Sequence, residues 1–442
     1  MDEFATHVPR QPVPVMRRPP TRPLRTAFIG TYPPRQCGIA TFTHDLAAAV
    51  VAACPPPDRR WGSTPGSAGR PAATAEIVAV DYAERDFPDE VGFRLDPDRP
   101  ADYVSIADRL NRGGYDVVSL QHEFGLYGGA NGEHVLDLLD ELDVPVVATL
   151  HTVLNHPSGH QRRILRQVAR AAANVVVLSR ASGEILASVY DIDPTKIRMI
   201  PHGVPDLPFV DPETIKPLMG LAGRPTVLSF GLLGPGKGFE LAIRAMQMVI
   251  RRAPSACYAI LGATHPELRR REGEAYRQAL QGLVTDLGLG PYVRFIDAYV
   301  DLATLGRWLQ AADVFVTPYP GAEQAVSGTL AYALGAGKAL VATPYAYARE
   351  LLADGRGRLV PFGDSDELGR QIGDLLTDRS SRDEARRRAY AYGRQMIWSK
   401  VGAEYLDLFA RLASDDDPPA DWAVRVGSPA LTARDRQRTS LG

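Results

Sequence analysis

Cysteine is scarce in this chain. Cys37, Cys54 and Cys257 stand at unrelated spacings, which excludes a disulfide framework or a thiolate metal cluster and fits a reducing compartment. A basic excess is missing too. Lys and Arg number 50 against 52 Asp and Glu, a formal net charge of -2, so the electrostatic footprint of a nucleic-acid binder is absent. No apolar run reaches the roughly 18 residues of a membrane span, and no signal-peptide core opens the chain. The expectation is a cytoplasmic protein, with peripheral contact at a membrane surface left open.

What is present is a long chain of ordinary globular composition, 442 residues with 45% hydrophobic and 23% charged residues. That length exceeds one ordinary core, so two domains are expected. Residues 1–24 are rich in Pro and Arg without periodicity, and 414–442 open on three aspartates; both read as disordered tails. The group Arg17, Arg18, Arg22 and Arg25 reads as a solvated basic tail. Cys54 to Thr74 reads as a loop.

Between the tails, short β-branched runs alternate with helical patterns. Strands are expected at Arg25–Gly30, Ala75–Val80, Val117–Gln121, Pro145–Leu150, Ala169–Ser179 and Ile197–Ile200. A second series falls at Thr226–Phe230, Cys257–Leu261, Val293–Ile296, Val314–Thr317, Ala339–Ala342 and Gly357–Val360. Such alternation means parallel sheets with right-handed crossovers. Helices are expected at Thr43–Ala52, Tyr103–Gly113, His134–Leu142, Ala181–Tyr190, Glu240–Ile250, Leu302–Ala311, Asp364–Thr377, Arg382–Met396 and Trp398–Leu412, and Val210–Gly223 reads as a linker.

Two strand–loop–helix units carry chemistry. After the strand ending at Thr317, a polar loop leads through Glu323 to Ser327-Gly-Thr329, which opens a short helix. A small-residue loop opening a helix at the carboxyl end of a parallel strand offers free N–H groups and the positive end of a helix dipole to an anion, usually phosphate. Ser327 taken alone is equally an N-cap. The second unit is Gly231-Leu-Leu-Gly-Pro-Gly-Lys-Gly238, with Lys237 aimed into the loop.

Together these stretches resemble family-4 retaining glycosyltransferases, whose first loop usually reads G-R-x-x-x-x-K-G and whose second reads E-x-x-x-x-x-x-x-E before G-x-P-V-V-A. Gly231, Lys237, Gly238, Glu323 and Gly337 to Ala342 match. Leu232 stands where the arginine is expected and Ala331 where the second glutamate falls; shifting the register to Gln324 and Tyr332 is no better. The resemblance spans roughly Leu24 to Ala413 and implies an α/β GT-B fold: two facing Rossmann-like domains, a cleft between them, and a C-terminal helix crossing back. The divisions expected are 25–205 for the acceptor-side domain, 206–223 for the linker, 224–396 for the nucleotide-sugar domain and 397–413 for the returning helix.

The resemblance also implies site roles. Gly38, in the first loop, would let backbone approach the donor, alongside Gly231, Lys237, Gly238, Glu323, Ser327, Gly328 and Thr329. His151 would lie beside the transferred sugar, and His151, Glu323 and Lys237 are the candidate catalytic set. Backbone around Tyr299-Val300 would meet the base. Gln36, His122, Glu123 and His156 are candidates for the acceptor side, a salt bridge or cap being the plain alternative for His122 and Glu123. Arg35 is a candidate substitute for the missing arginine, and a surface arginine otherwise. His202 at the Pro201-His-Gly-Val204 turn is placed near the cleft, although turn geometry explains the Pro and Gly. No cofactor or metal site is expected; the co-substrate would be a GDP- or UDP-hexose and the acceptor a carbohydrate, lipid or small molecule. Another GT-B enzyme, such as an epimerase or phosphorylase, and a non-catalytic sugar-binding relative are the competing readings.

Overall fold

The computed structural model describes residues 23–54 and 73–414. The tails and the segment 55–72 lie outside the described residues, so the expectations of disorder there have no structural counterpart. Two described ends correct those readings: Leu24, expected in the tail, opens the first strand and is buried, and Ala73-Thr74, expected in the loop, open the second. Arg25 of the basic group is in the first strand too, its guanidinium 5.0 Å from the Tyr115 ring centroid.

Among the described residues, thirteen strands form two wholly parallel sheets. The first contains β1 (Leu24–Gly30), β2 (Ala73–Val80), β3 (Val91–Leu95), β4 (Val117–His122), β5 (Val146–Leu150), β6 (Asn174–Val177) and β7 (Ile197–Met199), in the order β3-β2-β1-β4-β5-β6-β7. The second contains β8 (Thr226–Phe230), β9 (Cys257–Leu261), β10 (Val293–Ile296), β11 (Val314–Thr317), β12 (Ala339–Ala342) and β13 (Arg358–Leu359), in the order β10-β9-β8-β11-β12-β13. Central strands such as β4, β5, β11 and β12 are buried at every position. Helices cover both faces, which is why these strands read as continuous apolar runs.

In each sheet the chain order reverses beside the first strand, between β1 and β4 and between β8 and β11. A crevice opens outside the carboxyl ends of the strands at such a point. The helix Gly38–Ala53 begins at the first crevice and Gly328–Gly335 at the second. Helix Trp398–Ala413 packs against Gly38–Ala53, and its Tyr405 hydroxyl lies 3.0 Å from Thr149 Oγ1 of β5.

Several element boundaries differ from expectation. The helix expected from Thr43 starts at Gly38, because Cys37 takes the N-cap position without a side-chain cap and leaves no start signal. The strand expected from Ala169 is shorter: the Ala-rich stretch continues the helix Gly159–Ala171, and only the β-branched run Asn174–Val177 pairs. Unread elements include β3 and the helices Pro266–Glu272, Ala275–Asp286 and Ala346–Leu351. The stretch read as a linker is anchored. Pro212–Ile215 is helical, and the buried Lys216 ammonium lies 2.7 Å from Asp313 and 2.5 Å from Glu213.

Candidate active site

The second half builds its side of the cleft from two loops. Gly238, between the first loop and helix Phe239–Arg252, has φ +69°, and a Cβ there would lie 2.0 Å from Pro318 O. Only glycine permits that approach. It brings the Lys237 ammonium 4.7 Å from the Tyr319 ring centroid. The Tyr319 hydroxyl lies 3.2 Å from Ser327 Oγ and 3.0 Å from Thr329 Oγ1, and these two hydroxyls are 3.2 Å apart. Burial opposes ionisation of Tyr319, yet the Lys237 charge and the Ser327 and Thr329 hydroxyls outweigh it and hold the phenol below its ordinary range.

Ser327 is an N-cap as well, its Oγ accepting from Leu330 N–H. The two readings of Ser327 are compatible, because that bond satisfies one of the first-turn donors and leaves others free. Gly231 follows β8 with φ +128°, its Cβ direction pointing at Thr329 Cγ2 3.3 Å away. The two loops therefore touch.

Ala331 is fully buried in the apolar core of the second half, where an unpaired carboxylate would be costly. Its neighbour Tyr332 donates instead to Asp45 Oδ2 of the first half at 3.2 Å. Leu232 is half-buried and Leu233 fully buried. Arg35 is held on its own half: it donates to Val80 O at 3.3 Å and stands 3.9 Å from Asp81.

The first half contributes Gln36 and Gly38, both exposed, at the entry of helix Gly38–Ala53. His151 follows β5, half-buried; its Nε2–H donates to Gln121 Oε1 at 3.0 Å, which leaves Nδ1 as the lone-pair nitrogen. Burial lowers its pKa to about 3, helped by His202 and His122. Glu123 accepts from Thr152 Oγ1 at 2.6 Å and from Phe124 N–H at 2.9 Å, and burial pushes its carboxyl above the usual range.

His122 lies elsewhere. The strand β4 runs one residue further than expected, so His122 points into the core against Phe124 and Tyr127 and is fully enclosed. Alternation along a strand sends neighbours to opposite faces, and His122 falls on the face away from the cleft histidine. Burial lowers its pKa to about 4.

Contacts cross the cleft at several points. His156 Nε2 lies 3.4 Å from Glu323 Oε1, Thr41 Oγ1 lies 3.0 Å from the Tyr299 hydroxyl, and Ser179 Oγ donates to Ala325 O at 3.2 Å. Glu350 accepts from Arg180 N–H at 3.0 Å, capping a helix of the opposite half. An aromatic column runs along the cleft floor: His151 to Phe42 at 4.8 Å, Phe42 to His202 at 5.1 Å, and His202 to Tyr332 at 5.9 Å between centroids. Phe42, Asp45, Tyr319, Tyr332 and Glu350 carry no local motif, and sequence reasoning missed them. Among the described residues, no three His, Cys, Asp or Glu side chains gather as a metal-ligand set.

The family model "Glycosyltransferase Family 4" matches residues 38–206, and "Glycosyl transferases group 1" matches 224–378. Each model falls on one half of the cleft. The chain belongs to the family-4 GT-B glycosyltransferases. This glycosyltransferase is 29% identical to the phosphatidyl-myo-inositol mannosyltransferase of Mycolicibacterium smegmatis, over 70% of this chain and 75% of the relative. It is 31% identical to the GDP-mannose-dependent alpha-(1-6)-phosphatidylinositol monomannoside mannosyltransferase of the same organism, a match spanning 49% of this chain and only 56% of the relative. The D-inositol 3-phosphate glycosyltransferase of Nocardioides sp. is 26% identical over 69% of each chain. Among solved structures, Anabaena HepE in complex with UDP and glucose superposes with TM-score 0.66 at 18% identity, covering 88% of this chain and 99% of that one. Sucrose-phosphate synthase from Thermosynechococcus elongatus gives TM-score 0.70 at 18% identity, covering 89% and 100%. These two establish the fold of the glycosyltransferase. No helix among its described residues is long and apolar enough to cross a membrane.

Proposed function

We propose that this glycosyltransferase moves a hexose, mannose or glucose, from a nucleotide-diphosphate sugar to an acceptor hydroxyl, with retention at the anomeric carbon and without a divalent metal. The observation that supports this most directly is the Lys237 ammonium over the Tyr319 ring, whose hydroxyl contacts those of Ser327 and Thr329 at the first turn of helix Gly328–Gly335. A diphosphate leaving group develops negative charge, and preorganised N–H groups plus a lysine offset it without reorganisation. The mannosyl donor named for a relative supports a GDP-hexose; the UDP in HepE keeps a UDP-hexose as the other donor to test. Lipid-linked and small inositol acceptors named for relatives support an acceptor of either kind.

In this reading the bond between C1 and the phosphate oxygen breaks with its electron pair going to the phosphate. The acceptor oxygen bonds C1 on the same face and passes its proton to the departing phosphate. Lys237, Ser327 and backbone at Gly38, Gly231, Gly238, Gly328 and Thr329 hold the diphosphate, Glu323 binds sugar hydroxyls, and His151 stands beside the reacting carbon. Gln36, Glu123 and His156 line the acceptor side.

The test is turnover and thermal stability with GDP-mannose, GDP-glucose, UDP-glucose and ADP-glucose, each with and without EDTA. A donor that binds only the native state raises the midpoint by RT ln(1 + [L]/Kd). One donor is expected to raise it with EDTA present, and its product is expected to keep the donor's anomeric configuration by NMR. Loss of activity in EDTA would remove the metal-free part of the reading. An inverted product would remove retention.

A further inference from the structure

The turn Pro201-His202-Gly203 joins the two halves, and its histidine takes no part in the reading above. Its ring is held from three sides: by Phe42 of the first half at 5.1 Å, Tyr332 of the second at 5.9 Å, and Trp398 of the returning helix at 6.3 Å. Nδ1 lies 2.7 Å from Gly203 O. A carbonyl oxygen only accepts, so Nδ1 carries the proton and the lone pair sits on Nε2.

Nε2 faces the first residue of helix Gly328–Gly335. A Cβ built on Gly328 would lie 2.9 Å from it. Glycine at 328 therefore keeps a gap between this ring nitrogen and the first turn that holds the donor's phosphates in the proposed reading. That site is short of positive charge. Leu232 replaces the expected arginine, and Arg35 is committed to Val80 O and Asp81.

We propose that His202 is a further donor-binding residue, its Nε2–H giving a hydrogen bond to a diphosphate oxygen and its imidazolium supplying the charge that Leu232 does not. This rests on the diphosphate occupying the first turn of helix Gly328–Gly335. The groups facing the ring are Asp45 on helix Gly38–Ala53, His151 after β5 and Tyr332 on the donor helix. Burial lowers the His202 pKa to about 4, with the Gly203 bond and Asp45 opposing it, so the empty site holds a neutral ring at neutral pH. A diphosphate beside Nε2 favours the charged form, and a proton is taken up as the donor binds. Binding then strengthens as pH falls, because the complex holds more protons than the free protein.

The experiment uses GDP-mannose and UDP-glucose as probes, since a diphosphate diester does not itself titrate near neutrality. Isothermal titration in buffers of different ionisation enthalpy counts protons taken up, over about pH 5.5–8 around the histidine range. The full-length protein is expected to take up a fraction of a proton and to bind more tightly at lower pH. His202→Gln is expected to lose the uptake and bind about tenfold more weakly, the weight of a charge-assisted hydrogen bond. His265→Gln is expected to keep the uptake; His265 is the control because the Lys237 and Arg35 charges also act on it. Uptake that survives His202→Gln, or is lost in His265→Gln, overturns the assignment. Should His202→Gln fail to fold, histidine nitrogen NMR on the unmutated protein decides: the His202 Nε2 signal must move from the bare-nitrogen to the N–H region on donor addition. An unmoved signal in a saturated complex overturns the role of His202 alone. A protein that binds no sugar nucleotide at any pH loses both this role and the donor-site reading.

Discussion

The two walls of the cleft are made from different chemistry. The second half presents backbone N–H groups, three hydroxyls and one lysine, placed by loops that turn on glycine. The first half presents side chains that hold one another: His151 with Gln121, Glu123 with Thr152, His160 with Glu133. A diphosphate is common to every sugar nucleotide and can be met by generic backbone geometry. In the proposed reading the first half meets the acceptor, a particular molecule, with side chains whose orientation depends on distant partners. Changes in the second half are therefore expected to act on donor binding and catalysis or on the loop backbone, and changes in the first half on pH behaviour and local packing.

The largest expected effect is at Lys237. Its ammonium contacts the Tyr319 ring and has no ion-pair partner among the described residues, so Lys237→Ala should fold normally. Its kcat/KM should fall by about a hundredfold or more, the scale of one lost electrostatic stabiliser. Steady-state kinetics alongside a melting curve check both parts, and a melting midpoint that collapses would show Lys237 to be structural.

Two glycines sharpen the comparison next. Gly238→Ala combines φ +69° with a Cβ 2.0 Å from Pro318 O, and should cost about 2–4 kcal/mol of stability in denaturant titration. Gly38→Ala places a Cβ with nothing within 4 Å, so stability should be retained. Its donor KM should rise if backbone there meets the donor, and an unchanged KM would take Gly38 out of the site.

A smaller effect is expected from pH. His122, His151 and His202 have pKa values lowered to about 4, 3 and 4, chiefly by burial. Between those values and the ordinary histidine value of about 6.5 the unfolded chain binds more protons than the native one. Stability should then be fully present above about pH 6.5 and fall as pH drops towards 4. His122→Leu, which removes an enclosed imidazole whose two nitrogens have no hydrogen-bond partner, should flatten part of that fall in melting curves taken across the range. The smallest effect is Tyr332→Phe, which deletes the bond to Asp45. About 1 kcal/mol of stability is expected to go, with kcat little changed.

Much of the fold was legible because parallel strands buried on both faces must be short apolar runs, and helices between them follow from length. The strands of the second half matched closely, Thr226–Phe230 and Ala339–Ala342 to the residue. Edges were harder. β3 pairs only with β2, and its sequence Val-Gly-Phe-Arg-Leu gives a weak pattern. The start of helix Gly38–Ala53 was missed because an N-cap without a side-chain bond has no residue signature. In the candidate site, Lys237 and Ser327 could be proposed from the sequence because glycine spacing and a loop–helix junction are local features, and Glu323 was proposed from the family resemblance alone. Tyr319 and Tyr332 could not, since each acquires its partners from other segments.

The sequence by itself determined two parallel α/β halves, the glycine-bearing strand–loop–helix units of the second half, and the absence of an arginine at 232 and a glutamate at 331. These follow from periodicity, glycine placement and residue identity, which act over a few residues. Only the tertiary structure decided that Ala331 is buried in an apolar core, that His122 faces the core, and that His202 lies between Phe42 and the first turn of helix Gly328–Gly335. Those are matters of which face a side chain takes and which distant element covers it. They depend on how the two sheets and the returning helix pack, a three-dimensional constraint that spacing along the chain does not encode.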